Sequence, residues 1–245
     1  MASYVISDIH GEYDLFEDLL DLIGLKDEDT LYILGDVLDR GPNPIKAMLR
    51  IMDMPNAVFI AGNHEAMSLG SLPFLCREYT NKMVQMIDVE TVFSVIEWMQ
   101  NGASPTIEEF KDLPISERKR IVDYIQNAKL YVETEAGGYK YLLVHSGLGN
   151  FSPDKRMEDY TVDDLVWERA DYDTQYFDDV FVVSGHTPTQ AIPQCEEGGY
   201  IFRKNNHIAI DCGACFAGGR LAAFCLDTQE EFYSCDNNEP ELLYY

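Results

Sequence analysis

Asp8 and His10, Asp36 with Asp39 and Arg40, Asn63 with His64, His145 and His186 put carboxylate, amide, imidazole and guanidinium groups into five short runs. Four of the five runs contain a His, and of the chain's five histidines only His207 falls outside them. One His or Asp in such a run is a cap or a hydrogen-bonded loop residue more often than a metal ligand. Five runs of this kind in one chain need a common cause. Asp8 and His10 are two residues apart and would face the same way on an extended chain, an N/O pair for one cation. Asp36 has two oxygens and could bridge two cations. Asn63, His145 and His186 add an amide oxygen and two imidazoles. Such a donor set suits Mn, Fe or Zn better than Ca or a thiolate-type site. Two cations about 3.5–4 Å apart polarise a phosphoryl group and generate hydroxide near neutral pH.

The elements that must position these groups are legible around them. Residues 3–7, 30–34 and 57–61 are β-rich runs. Between them lie helical patterns over 12–23, with Leu15, Phe16, Leu19, Leu20 and Ile23 on one face, and after Asn43-Pro44, with Ile45, Met48, Leu49 and Met52 buried. Gly24 sits where a helix C-cap would. Strand–helix–strand–helix–strand predicts parallel strands with right-handed crossovers. Residues 66–130 carry Met, Leu and aromatic residues at helical spacing with a break at Ser104-Pro105, and predict a helical insertion. Trp98 and Met99 in it read as packing residues. From Tyr139 on, six short β-rich runs separated by Gly predict hairpins of a second sheet. Each of the five runs follows directly on a predicted strand, and open α/β sheets place their sites at such strand ends. One domain over 1–235 is expected, with a loose, acidic tail at 236–245.

Composition sets limits. With 43 acidic against 18 basic residues the formal charge is −25, which disfavours nucleic acid and anionic membrane as partners. An anionic substrate then needs a local positive source, which a cation pair would supply. No apolar run reaches the roughly 18 residues of a membrane span. The first residues carry no basic or apolar leader, so a cytoplasmic protein with free cysteines is expected. Cys212 and Cys215 form a C-x-x-C without a second ligand pair and read as small packing residues.

GDVLDRG and GNHE, in this order after DIHG, resemble the phosphoprotein phosphatase branch of the calcineurin-like metallophosphoesterases, in particular the small bacterial serine/threonine protein phosphatases; His-Ser-Gly at 145–147 departs from the two glycines of eukaryotic members. The likeness extends from Asp8 to Gly219. It implies an α/β fold of two facing mixed β-sheets flanked by helices, in an α/β/β/α sandwich with a dinuclear centre at one edge. By that similarity Asp8, His10 and Asp36 would hold one metal ion, and Asp36, Asn63, His145 and His186 the other, Mn foremost, with Fe or Zn as alternatives. A hydroxide bridging the two would attack phosphorus. His64 would protonate the leaving oxygen, Asp39 would orient His64, and Arg40 and Arg169 would bind phosphate oxygens. Arg169 lies in Val166-Trp167-Glu168-Arg169, which resembles the Trp-x-Arg element of bacterial members. Glu65 would support the Asn63-His64 loop. Asp211 reads as a neighbour of the site or a turn residue, and His207 as structural.

The resemblance implies hydrolysis of a phosphate monoester, in a phosphorylated protein or a small ester. The alternative is a hydrolase of diadenosine polyphosphates, which would share these motifs. A nuclease is disfavoured by the charge. A non-catalytic module on the same fold would be expected to have lost ligands, and none is missing here.

Overall fold

The computed structural model describes residues 1–77 and 89–237. Two five-stranded mixed sheets face each other. The first has the order β10-β9-β1-β2-β3 and the second β4-β5-β6-β8-β7. In the first, β1 (Ser3–Ile6), β2 (Thr30–Leu34) and β3 (Ala57–Ile60) are parallel neighbours. Helices α1 (Tyr13–Ile23) and α2 (Pro44–Met52) make the crossovers, as the strand–helix alternation requires. Gly24 closes α1 in the left-handed conformation, with φ 60°. α2 buries Ile45, Ala47, Met48 and Ile51, whereas Leu49 and Met52 are only partly covered.

The last two strands depart from the expected hairpins of a second sheet. β9 (Ala222–Cys225) crosses back and pairs antiparallel with β1, and β10 (Glu231–Tyr233) pairs with β9. They belong to the first sheet. In the second, β5 (Tyr139–Val144), β6 (Val180–Ser184) and β8 (His207–Ala209) are parallel. Only its edges are hairpins: β4 (Tyr131–Ala136) with β5, and β7 (Phe202–Lys204) with β8.

The alternation of side chains along each strand sorts three apolar layers. Ile6 and Ile33 face α1, α2 and further helices. Val5, Leu34, Tyr141, Leu143, Val183 and Phe224 fill the space between the sheets. Leu142, Val144 and Val182 face outward, under Leu148, Tyr160 and Leu165. Among the described residues the helices between β3 and β4 are α3 (Asn63–Leu69), α4 (Leu72–Leu75), α5 (Val89–Gln100), α6 (Ser104–Asp112) and α7 (Ile115–Gln126). The expected insertion at 66–130 includes residues 78–88, which lie outside the described residues, as do 238–245 of the expected tail. A short helix α8 (Val162–Val166) follows β5. The tail is not loose from its start. Asn237 is buried, and its Nδ2 donates to the Ala214 carbonyl while its N–H donates to Gly219. No described helix is long and apolar enough to cross a membrane. All six cysteines are free.

Candidate active site

The parallel strands β1, β2 and β3 end side by side, and each hands the chain to one candidate run. Asp8 follows β1, Asp36 follows β2, and Asn63 opens α3 after β3. From the facing sheet, β5 and β6 deliver His145 and His186. Backbone ties hold the strand ends in register: His10 N–H donates to Asp36 at 2.8 Å, and Gly185 N–H to His145 at 2.9 Å. The loops approach so closely that two positions admit only glycine. A Cβ on Gly62 would overlap the Asp36 carboxylate, and one on Gly185 that of Asp8.

Asp8 and His10 do not sit on an extended chain. Six residues of these runs, Asp8, His10, Asp36, Asp39, Arg40 and His186, have φ between 45° and 72°. Side chains rarely occupy this left-handed region, which costs about 1 kcal/mol or more each. The sharp turns aim successive side chains inward where a strand would alternate them. Strain concentrated here is a mark of a functional site, because packing alone does not require it.

The buried imidazoles point unprotonated nitrogens at carboxylate oxygen. His10 Nδ1 lies 2.9 Å from the Leu38 carbonyl, and His145 Nδ1 2.6 Å from that of Leu34. A carbonyl only accepts, so both Nδ1 carry the proton and Nε2 is a bare lone pair. His10 Nε2 then faces Asp36 Oδ2 at 3.6 Å. His145 Nε2 faces Asp36 Oδ1 at 3.4 Å and Asn63 Oδ1 at 3.0 Å. His186 Nδ1 lies 2.9 Å from that same Asn63 oxygen. Lone pairs converging on oxygens repel one another unless a cation sits between them.

Charge leads to the same conclusion. Burial pushes His10 and His145 below the ordinary imidazole range and His186 down to about 4, so all three are neutral ligand forms. Burial acts to raise Asp36, and positive charge placed among His145, His64, His10 and His186 would hold it below the usual carboxylate range. Burial raises Asp8 well above that range, and the Asp211 and Asp36 carboxylates add to it. Three buried carboxylates beside neutral imidazoles are unfavourable without positive charge. Among the described residues, ligand atoms of His10, Asp36 and His64 lie within 4.8 Å of one another, and so do those of Asp36, His145 and His186. Asp36 belongs to both groups. Asp8 lies in neither; its carboxylate accepts the His186 backbone N–H at 3.0 Å. The residues therefore fit a pair of divalent cations that share Asp36.

His64 has different surroundings. Its Nδ1–H donates to Asp39 Oδ2 at 2.6 Å, and its Nε2 lies 3.0 Å from Arg40 Nη2. Burial acts to lower His64, yet Asp36 and Asp39 hold it above its ordinary range. Asp39 is fully buried and has three donors: His64, the Trp98 Nε1–H at 2.7 Å and the Thr106 hydroxyl at 2.6 Å. Trp98 and Thr106 come from α5 and α6, so the helical stretch holds the partner of His64. Thr106 was not singled out by sequence, and Trp98 read as packing. Their link to Asp39 spans 59 residues or more and leaves no local pattern. Arg40 is fixed by its N–H to the Gly102 carbonyl and by a contact with Cys215. Arg169 is exposed, and its charge reaches His186. Glu65 accepts backbone N–H groups of Asp36, Val37, Leu38 and Gly62, which fixes the Asp36 loop against α3. His207 lies away from the cluster, with Nε2 2.9 Å from the Ser184 hydroxyl.

The chain is similar to known proteins over most of its length. The asymmetrical bis(5'-nucleosyl)-tetraphosphatase of Geobacillus thermodenitrificans is 26% identical, across 89% of this chain and 88% of the relative. That of Oceanobacillus iheyensis is 24% identical across 96% and 92%. The symmetrical bis(5'-nucleosyl)-tetraphosphatase of Nitrosomonas europaea is 26% identical, but the alignment spans only 45% of it. Among solved structures, a candidate diadenosine tetraphosphatase superposes with a TM-score of 0.66 at 17% identity, over 97% of this chain and 95% of that one. A yeast protein serine/threonine phosphatase gives 0.56 at 15%, over 98% and 81%. At such identities the superpositions speak for the fold alone. The model of the calcineurin-like phosphoesterases matches residues 1–216, and the chain belongs to that metallophosphoesterase family of hydrolases.

Proposed function

We propose that the chain hydrolyses dinucleoside polyphosphates, cutting a phosphoric anhydride bond of a bis(5'-nucleosyl) tetraphosphate. The observation that carries this reading is the alignment with tetraphosphatases over about nine-tenths of their length, on a site built for phosphoryl transfer. It favours the dinucleotide, the alternative in the sequence reading, over the phosphoprotein that the motifs put first.

In this reading Asp8, His10, Asp36, Asn63, His145 and His186 hold two divalent cations, Mn, Fe or Zn. When bound, such a pair supplies Lewis acidity to the phosphoryl group and lowers the pKa of water. Arg40 and Arg169 take phosphate oxygens, and a guanidinium fork matches two of them at once. Arg40 also contacts His64 Nε2. As Arg40 turns to phosphate it releases that nitrogen, which can then carry a proton to the departing oxygen. Asp39 holds the other imidazole nitrogen, fixes the ring and favours its charged form. The P–O bond breaks as water adds in line, and the phosphate leaving group takes the His64 proton.

Rates on diadenosine tetraphosphate, a phosphoserine peptide and p-nitrophenyl phosphate, with Mn and with chelator, test the reading. We expect the dinucleotide to have the highest kcat/KM and chelator to abolish all three activities. A phosphopeptide preferred by tenfold or more would replace the dinucleotide reading with a protein phosphatase.

A further inference from the structure

A cleft of about 360 Å³ opens between α3, α5, α8 and the residue after it. Its volume falls in the range of small-molecule pockets, roughly 300–1,000 Å³. Ala66, Met67 and Ser94 line it, together with Glu97, Asp163 and Trp167.

Two walls of the cleft begin at the reacting centre. α3 starts at Asn63, so Met67 lies one helical turn from Asn63 on the same side. Glu168, next to Trp167, accepts the Gly147 N–H at 2.6 Å, which ties this turn to the His145 run. Arg169 stands two residues beyond Trp167. A molecule whose phosphates reach the arginines therefore has its next group within reach of this cleft.

The lining identifies that group. Trp98 is buried and donates its N–H to Asp39, whereas Trp167 is 38% exposed and lines the cleft. An exposed indole offers a flat stacking face, which every nucleobase can use. Glu97 and Asp163 bring carboxylates, which accept hydrogen bonds and do not donate them. They suit the amino groups of adenine and guanine, as carboxylates accept from base amines elsewhere. Uracil offers one N–H flanked by two carbonyls, which the same carboxylates repel. Their negative charge also keeps the phosphate chain out of the cleft, so the base enters it and the phosphates remain at the arginines.

We infer that this cleft is the nucleobase subsite, stacking an amino-bearing base on Trp167 with Glu97 and Asp163 as acceptors. The inference rests on the dinucleotide reading for its substrate, but the base site can be tested apart from it. Two measurements on wild type, Trp167→Ala, Trp167→Phe and Glu97→Gln do so. The first is kcat/KM for diadenosine tetraphosphate and diuridine tetraphosphate relative to inorganic tripolyphosphate. The second is equilibrium binding of adenosine, which carries no phosphate.

In Trp167→Ala the preference for diadenosine tetraphosphate over tripolyphosphate should fall about tenfold, the scale of one base–aromatic stack. KM should carry the change, and Trp167→Phe should recover most of it. Glu97→Gln should narrow the gap between the adenine and uracil substrates. An unchanged preference in Trp167→Ala, with adenosine bound as in wild type, overturns the subsite. If wild type ignores the dinucleotides yet binds adenosine through Trp167, the substrate reading fails and the subsite stands. If wild type binds no adenosine, the subsite fails whatever the dinucleotide rates.

Discussion

The two sides of the cluster are buried alike and wired differently. On the strand-end side, His10 and His145 spend Nδ1 on backbone carbonyls and leave Nε2 bare toward Asp36. On the helical side, His64 spends Nδ1 on a carboxylate, Asp39, which α5 and α6 hold through Trp98 and Thr106. A carbonyl partner leaves an imidazole neutral in a buried site, while a carboxylate partner favours the charged form. The first side is therefore suited to holding cations and the second to moving a proton. What surrounds an imidazole's second nitrogen decides its role more than how deeply the ring lies.

If that contrast holds, variants on the two sides should fail in different ways. Asp36→Asn should have the largest effect, because both groups of ligand atoms share Asp36. Turnover and cation content should fall together, well beyond the roughly 10–100-fold cost of losing a mere supporting partner of a ligand. Elemental analysis beside steady-state rates checks this. His64→Ala should retain its cations and lose about 10²–10⁴ in kcat. The loss should be greatest on an alkyl phosphate and smallest on p-nitrophenyl phosphate, whose leaving group needs little protonation. An equal loss on both would remove the proton-donor role.

Thr106→Val sharpens the contrast further, because it touches neither cation nor substrate. It takes one donor from buried Asp39 and should cost about 1–2 kcal/mol of stability. The alkaline limb of the kcat–pH profile should move to lower pH, since a less well held Asp39 supports the His64 charge less. A merely structural role would lower Tm and leave the limb in place.

The smallest effect concerns His207, buried without a carboxylate and pushed by burial down to about 3. In the unfolded chain it would titrate near 6.5. Its folded pKa is depressed, so the unfolded state binds the extra proton between those values, and stability falls as pH drops from about 6.5 toward 3. His207→Gln should flatten that part of a Tm–pH curve and leave turnover at neutral pH unchanged.

Much of this was legible in the chain, and the exceptions have physical causes. The first three strands and two helices repeat a local pattern whose period fixes each element, and the ligand runs sit at their ends. β4 went unseen because Glu133 and Glu135 alternate onto an exposed face of an edge hairpin, which reads as polar loop. β9 and β10 look like any short strands. The pairing of β9 with β1 joins residues more than 200 apart, which no local period encodes. The left-handed turns at Asp8, His10 and Asp36 also escaped, since residue type alone does not signal such a conformation. Thr106 and Trp98 reach Asp39 only through the packing of α5 and α6 against the site.

The most direct test is calorimetric titration of metal-free protein with Mn at neutral pH, wild type beside Asp36→Asn. We expect two equivalents to bind the wild type and fewer than one to bind the variant. Two equivalents retained by Asp36→Asn, or none bound by the wild type, would contradict a cation pair built around that carboxylate.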